Sequence, residues 1–137
     1  MRRLLAGVSG AVLLACVSTQ VTQLAGFDPQ RAPTCWQAVK IYASAQAVDT
    51  PYVEIAYLHT SSTDPVADEA IIKNMRQKAA AIGANGVLFK GIQQTLGNVG
   101  LVSGALQTKP TGEAVALWIP RDSAAARRTC ADSTAAH

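Results

Sequence analysis

Between Asp64 and Phe89, apolar side chains recur at steps of four and three: Ala67, Ile71, Met75, Ala79 and Ile82. That spacing predicts one face of an amphipathic helix. Asp68, Glu69, Lys73, Arg76 and Gln77 fall largely elsewhere, with Glu69 and Lys73 spaced for an i,i+4 ion pair. Asp64 is the expected N-cap and Pro65 the first helical residue, where its missing N–H costs nothing. Asp68 and Glu69 stand near the positive end of the helix dipole, Arg76 and Lys78 toward the negative end. Gly83 supplies a left-handed stop, and Asn85-Gly86 a second permissive turn. Val87, Leu88 and Phe89 then open a strand that is apolar on both faces, as a central strand requires. All of these signals concern folding, and none names a reaction.

On either side of this unit the pattern has period two. Cys35 to Tyr42 places Val39 and Ile41 on one face and predicts a first strand. Tyr52 to Thr60 alternates again, with Val53, Ile55, Tyr57 and His59 on one side and Glu54, Ala56, Leu58 and Thr60 on the other. The strand after the helix is expected to end near Gln93. Residues 94–112 carry four glycines and form a long connection, of the length that is usually functional or mobile. Leu101, Val102, Ala105 and Leu106 make it less polar than a plain linker, so it is either an extended hairpin tip or a contact surface for a partner. A last strand runs from Glu113 to Ile119 and stops at Pro120, after which Asp122 is placed to cap a short helical tail. The expected fold is α+β, a four-stranded sheet with one amphipathic helix on one face, in the order β-β-α-β-β.

At the N-terminus, Met1-Arg2-Arg3 is a short basic segment followed by an apolar run, Leu4 to Ala15. Twelve residues are too few to cross hydrocarbon, which takes about 20, but they suit a secretory signal. The run ends Leu13-Leu14-Ala15-Cys16, which resembles the lipobox of bacterial lipoproteins. That resemblance implies acylation of the Cys16 thiol, cleavage between Ala15 and Cys16, and acylation of the new amino terminus; an ordinary signal peptide cut near Ala15 is the alternative. Several acyl chains would make a lasting anchor, since two lipid signals already suffice. Val17 rather than Asp follows the cysteine, and by resemblance to enterobacterial lipoproteins this implies the outer membrane, facing the periplasm. The expected organisation is residues 1–15 as signal peptide, 16–34 as lipidated N-terminus and flexible tether, 35–121 as the α+β domain, and 122–137 as a short helical or disordered tail.

Val39 to Tyr42, Tyr52 to Ala56, Met75 to Ala80 and Gly83 to Leu88 together resemble small envelope lipoproteins, namely the Rcs outer-membrane stress-sensor lipoprotein and the related YbjQ-type domains once labelled heavy-metal binding. The likeness covers roughly residues 39–119, and its strongest element is the Lys-Ala-Ala…Gly-Ala-Asn-Gly-Val junction. It implies a periplasmic interaction or sensing module with no catalytic residues to carry over. The stress sensor's cysteines around the third strand and final loop are absent from this chain.

Charge and chemistry narrow the picture further. The whole chain has 12 Lys+Arg against 9 Asp+Glu, and losing Arg2 and Arg3 leaves 10 against 9, a net +1. No strong field and no basic run interleaved with aromatics remains, which argues against nucleic acid as a partner. With Cys16 lipidated, Cys35 and Cys130 are left, and an even pair bracketing the domain in an oxidising compartment predicts a disulfide, with two thiols as the alternative. The two histidines, His59 and His137, form no metal-ligand spacing. Cys35 with His59 is the one conceivable nucleophile and base, and a bridge would disarm it. Glu54 and the Arg127-Arg128 pair read as solvated. Two classes of function therefore stand. One is a membrane-anchored, non-enzymatic module that binds an envelope protein through residues 94–112 or an exposed sheet edge. The other is a small-ligand or metal-binding oligomer of the YbjQ type. An enzyme is not expected, and no cofactor is assigned.

Overall fold

The computed structural model describes residues 16–63, 67–98 and 106–136. Five strands form one mixed sheet: β1 (Val17–Gln23), β2 (Lys40–Tyr42), β3 (Val53–Ser62), β4 (Gly86–Asn98) and β5 (Leu106–Trp118), with helices α1 (Asp68–Ala81) and α2 (Ser123–Ala135). The spatial order is β1-β3-β5-β4-β2. The α+β class holds, whereas the four strands and one helix of the sequence reading become five and two among the described residues.

The fifth strand comes from the expected tether. Val17–Gln23 lies antiparallel to β3, from Val17↔Ser62 to Gln23↔Ala56. Val17, Thr19, Val21 and Thr22 are β-branched, which suits a pleated surface. The Thr19 hydroxyl donates to Asn74 Oδ1 at 2.6 Å and lies 2.6 Å from the Thr60 hydroxyl, so β1 is bonded to α1 as well as to β3. Having one proton, already given to Asn74, Thr19 accepts from Thr60.

The helix face falls where its spacing put it. Ala67, Ile71, Met75 and Ala79 are buried, and Ile82 packs at the edge of the core cluster. Asp64 and Pro65 lie outside the described residues; the helix begins at Asp68 with Ala67 before it and no side-chain cap. Lys73, spaced to pair with Glu69, instead lies 5.4 Å from the Trp36 ring. Arg76 is not a solvated charge: its Nε donates to the Val39 carbonyl at 3.0 Å and fastens α1 to the 36–39 segment. Gly83 takes the left-handed conformation, φ +83°, that ends the helix.

Three further expectations are corrected. The first predicted strand shrinks to Lys40–Tyr42, preceded by a 3-10 turn at Trp36–Ala38. Val39 is buried while Ile41 is 44% exposed, so they do not share a buried face. In β3 the strict alternation is broken by a register shift between Glu54 and Ala56. Ile55 and Ala56 are therefore both buried, and from there Ala56, Leu58, Thr60 and Ser62 face inward. Asn85-Gly86 is not a loose turn: Gly86 opens β4, paired with Lys40 and Leu117, and Asn85 is 2% exposed.

Residues 94–112 resolve toward the hairpin alternative. β4 and β5 stay paired out to Asn98↔Leu106, five pairs beyond Thr111, where β3 stops. Residues 99–105 lie outside the described residues. The tail is longer and more regular than expected, since α2 runs to Ala135.

Beneath α1 the main core gathers Val39, Ile55, Leu58, Ile71, Met75, Val87 and small alanines of β5. Contact is close enough that a Cβ on Gly112 would come within 2.8 Å of Ile71 Cγ2 and Met75 Cε. On the opposite sheet face a second cluster of Val48, Val115, Leu117 and Ile119 is flanked by Tyr42, Tyr52 and Tyr57.

Candidate functional site

Three places in the fold hold the residues singled out in the sequence or left over by it. The first is the Cys16 edge. Cys16 is exposed and directly precedes β1, while Ala15 lies outside the described residues. Its carbonyl accepts from Thr63 N–H, and at the other end of the strand Leu24 N–H donates to the Ile55 carbonyl. In an antiparallel pair, alternate residues point both backbone groups the same way. Residues 16, 18, 20, 22 and 24 thus turn theirs toward β3, and Val17, Thr19, Val21 and Gln23 turn theirs outward. That outer side meets no strand among the described residues. The sequence of β1, VSTQVTQ, has no charge and no proline. These are the devices by which exposed edges are commonly protected from pairing, and here they are missing.

Second is the sheet face away from α1. His59 Nδ1 lies 3.8 Å from Glu113 Oε1, and the two residues are cross-strand partners. Desolvation by burial, and after it the neighbouring Glu113 carboxylate, raises the Tyr57 phenol above its usual value. Lys90 lies 5.6 Å from the Tyr57 ring. His59 is accordingly a partner within a sheet-face cluster. Among the described residues no group of three or more His, Cys, Asp or Glu is placed to hold a metal ion. Glu54 is exposed, as expected.

Third is the end of the sheet where α2 begins. Cys35 and Cys130 are joined, with Cα atoms 5.5 Å apart, and the bridge pins α2 to the segment that precedes β2. The Cys35 sulfur is consumed, so no Cys-His pair exists. Beside the bridge a cavity of about 250 Å³ opens between residues 31–34 and the first turn of α2, lined among others by Arg31, Thr34, Trp118, Ser123 and Arg127. The Arg31 guanidinium sits 5.0 Å from the Trp118 ring. Its aliphatic stem passes over Gly83 so closely that a Cβ there would lie 2.6 Å from Arg31 Cγ. Arg31 Nη1 is buried with no hydrogen-bond partner. Nearby, Arg121 pairs with Asp49 at 2.9 Å and Asp122 at 3.1 Å, which raises its own pKa and holds the Asp49 carboxyl below the usual range.

Sequence reasoning missed this third place. Arg31 falls in the segment read as a tether, while Arg127, read as solvated, is exposed on α2. The available signal was the Cys35–Cys130 pair, since a bridge between them sets α2 beside the segment that ends at Thr34.

No family model matches the chain, and no curated protein matches it. Among solved structures it is similar to the Francisella virulence factor FvfA, with 16% identity and a TM-score of 0.50, over 73% of this chain and 96% of that one. At that identity the likeness is one of fold.

Proposed function

We propose that the chain is a lipid-anchored protein of the bacterial envelope that works by binding, without catalysis, and that it binds through the free edge of β1. The observation that carries this reading is the junction at Cys16. A lipobox-like Leu13-Leu14-Ala15-Cys16 runs into an uncharged edge strand with no intervening linker. Acyl chains on Cys16 would hold β1 at the bilayer surface, within one residue of the lipid. A strand of a neighbouring envelope protein could then add to the outward N–H and C=O groups of Val17, Thr19, Val21 and Gln23. Each such bond is worth about 0.5–1.5 kcal/mol net, so specificity comes from the side chains that flank the ladder. The outer membrane is favoured by Val17 after the cysteine.

Val21→Pro tests the edge. It deletes one outward N–H but no bond to β3, because the Val21 backbone faces away from that strand. Photo-cross-linkers at Gln20 and Thr22 in intact envelopes should trap one partner in the wild type and lose it in V21P. Capture unaffected by V21P, in protein that remains folded, would refute β1 as the docking edge.

A further inference from the structure

Beyond the β1 edge, we propose that the cavity between residues 31–34 and the start of α2 binds the oxyanion of a small carboxylate or phosphate ligand, gripped by Arg31 and Arg127. Arg31 and Arg127 both line one cavity. Among the described residues neither has a carboxylate within ion-pair distance. The neighbouring acid, Asp122, is ion-paired with Arg121 at 3.1 Å and Lys40 at 3.6 Å, its Oδ2 buried without a hydrogen bond. Stacking on Trp118 leaves the Arg31 guanidinium without a carboxylate, because a ring face attracts the cation without accepting its in-plane N–H groups. An oxyanion in the cavity offsets the unpaired charge of the two side chains.

Arg31 is also held ready. Its stem rests on Gly83 and its head on Trp118, so little side-chain freedom is left to lose on binding. The planar fork of a guanidinium suits two oxygens of either carboxylate or phosphate. Covalent chemistry fixes the gap as well. Cys35 follows Thr34, Cys130 lies one turn beyond Arg127, and the two are bonded. The volume, about 250 Å³, accommodates an anionic group and a few further atoms. Trp118 pairs with Val53 while Cys16 adjoins the Ser62 end of β3. Nine steps of strand separate these ends, about 30 Å at 3.3 Å per residue, so the cavity lies far from the lipid attachment point.

The test uses the detergent-solubilised full-length protein carrying Trp36→Phe, which leaves Trp118 as the sole indole. Sodium acetate and sodium phosphate are titrated separately against sodium chloride of equal ionic strength, and Trp118 emission is followed. A saturable change with at least one of them is expected. Acetate alone would identify a carboxylate site, and phosphate alone a phosphate site. R127M should weaken that response at least tenfold, R31M likewise, and R128M, outside the cavity, less than twofold. Reducing the disulfide should weaken it too, by loosening one wall. If R31M does not fold, R127M decides alone, since Arg127 is exposed on α2. No saturable change beyond chloride, or R127M within twofold of its parent, overturns the proposal.

Discussion

Asn85→Ala is the sharpest perturbation of the fold that carries the β1 edge and the cavity. Asn85 is 2% exposed, and its side-chain amide behaves as a surrogate length of strand: Ile119 N–H donates to Oδ1 at 2.8 Å, and Nδ2 donates to the Ile119 carbonyl at 2.8 Å. Its backbone bonds Leu117 on one side and Lys40 on the other. Ile119 is fully buried, so truncation strands one N–H and one C=O where water does not reach. At about 1–3 kcal/mol for each orphan, with partial collapse of the site, N85A should lose about 3–5 kcal/mol. That is a large share of a typical stability of about 5–15 kcal/mol. With m near 2 kcal/mol per molar urea, the midpoint should fall by about 2 M. N85D should be as damaging at pH 7, because it buries a charge facing the Ile119 carbonyl. Its folded-state carboxyl pKa would be raised above the unfolded value of about 3.9, so stability is present below that value and is lost as pH rises through the folded one. A loss under about 1 kcal/mol in N85A, from urea melts followed by circular dichroism, would refute this account of the β2-β5 junction.

Other outcomes follow from the same geometry. Reducing the Cys35–Cys130 bridge, which spans 95 positions, should remove up to about 4–5 kcal/mol by loop-closure arithmetic, read as a lower Tm with reductant; an unchanged Tm would contradict it. Gly112→Val should cost about 1–3 kcal/mol or more, because Ile71 Cγ2 stands 2.8 Å from the new Cβ and is β-branched and buried, whereas a neutral result in urea melts would deny the close helix contact. Tyr57 should ionise above the usual tyrosine value, and Glu113→Gln should bring it down in a spectrophotometric titration. Its raised folded-state value means that the associated stability is present below pH 10 and lost as pH climbs through that value.

Much of the helix was legible because its period was clean: Ile71, Met75 and Ala79 are buried as spaced. The strand β1 was misread although Val17, Thr19 and Val21 alternate, because no core residue advertises an edge strand that is mostly exposed. Asn85-Gly86 has the chemistry of a turn, and only tertiary contact reveals that Asn85 is bonded across to Ile119. The β3 register shift at Ile55 likewise has no sequence signal, and it reassigns which residues face α1. The disulfide was visible as a cysteine pair, yet the cavity lined by Arg31 and Arg127 was not, since the two lie far apart in sequence and nothing local links them.

The account rests most on Cys16, and mass spectrometry of the N-terminal peptide of protein taken from native envelopes tests it most directly. The expected peptide begins at Cys16, with a diacylglyceryl group on sulfur and an acyl group on the amine. A chain beginning elsewhere, or an unmodified Cys16, would contradict it.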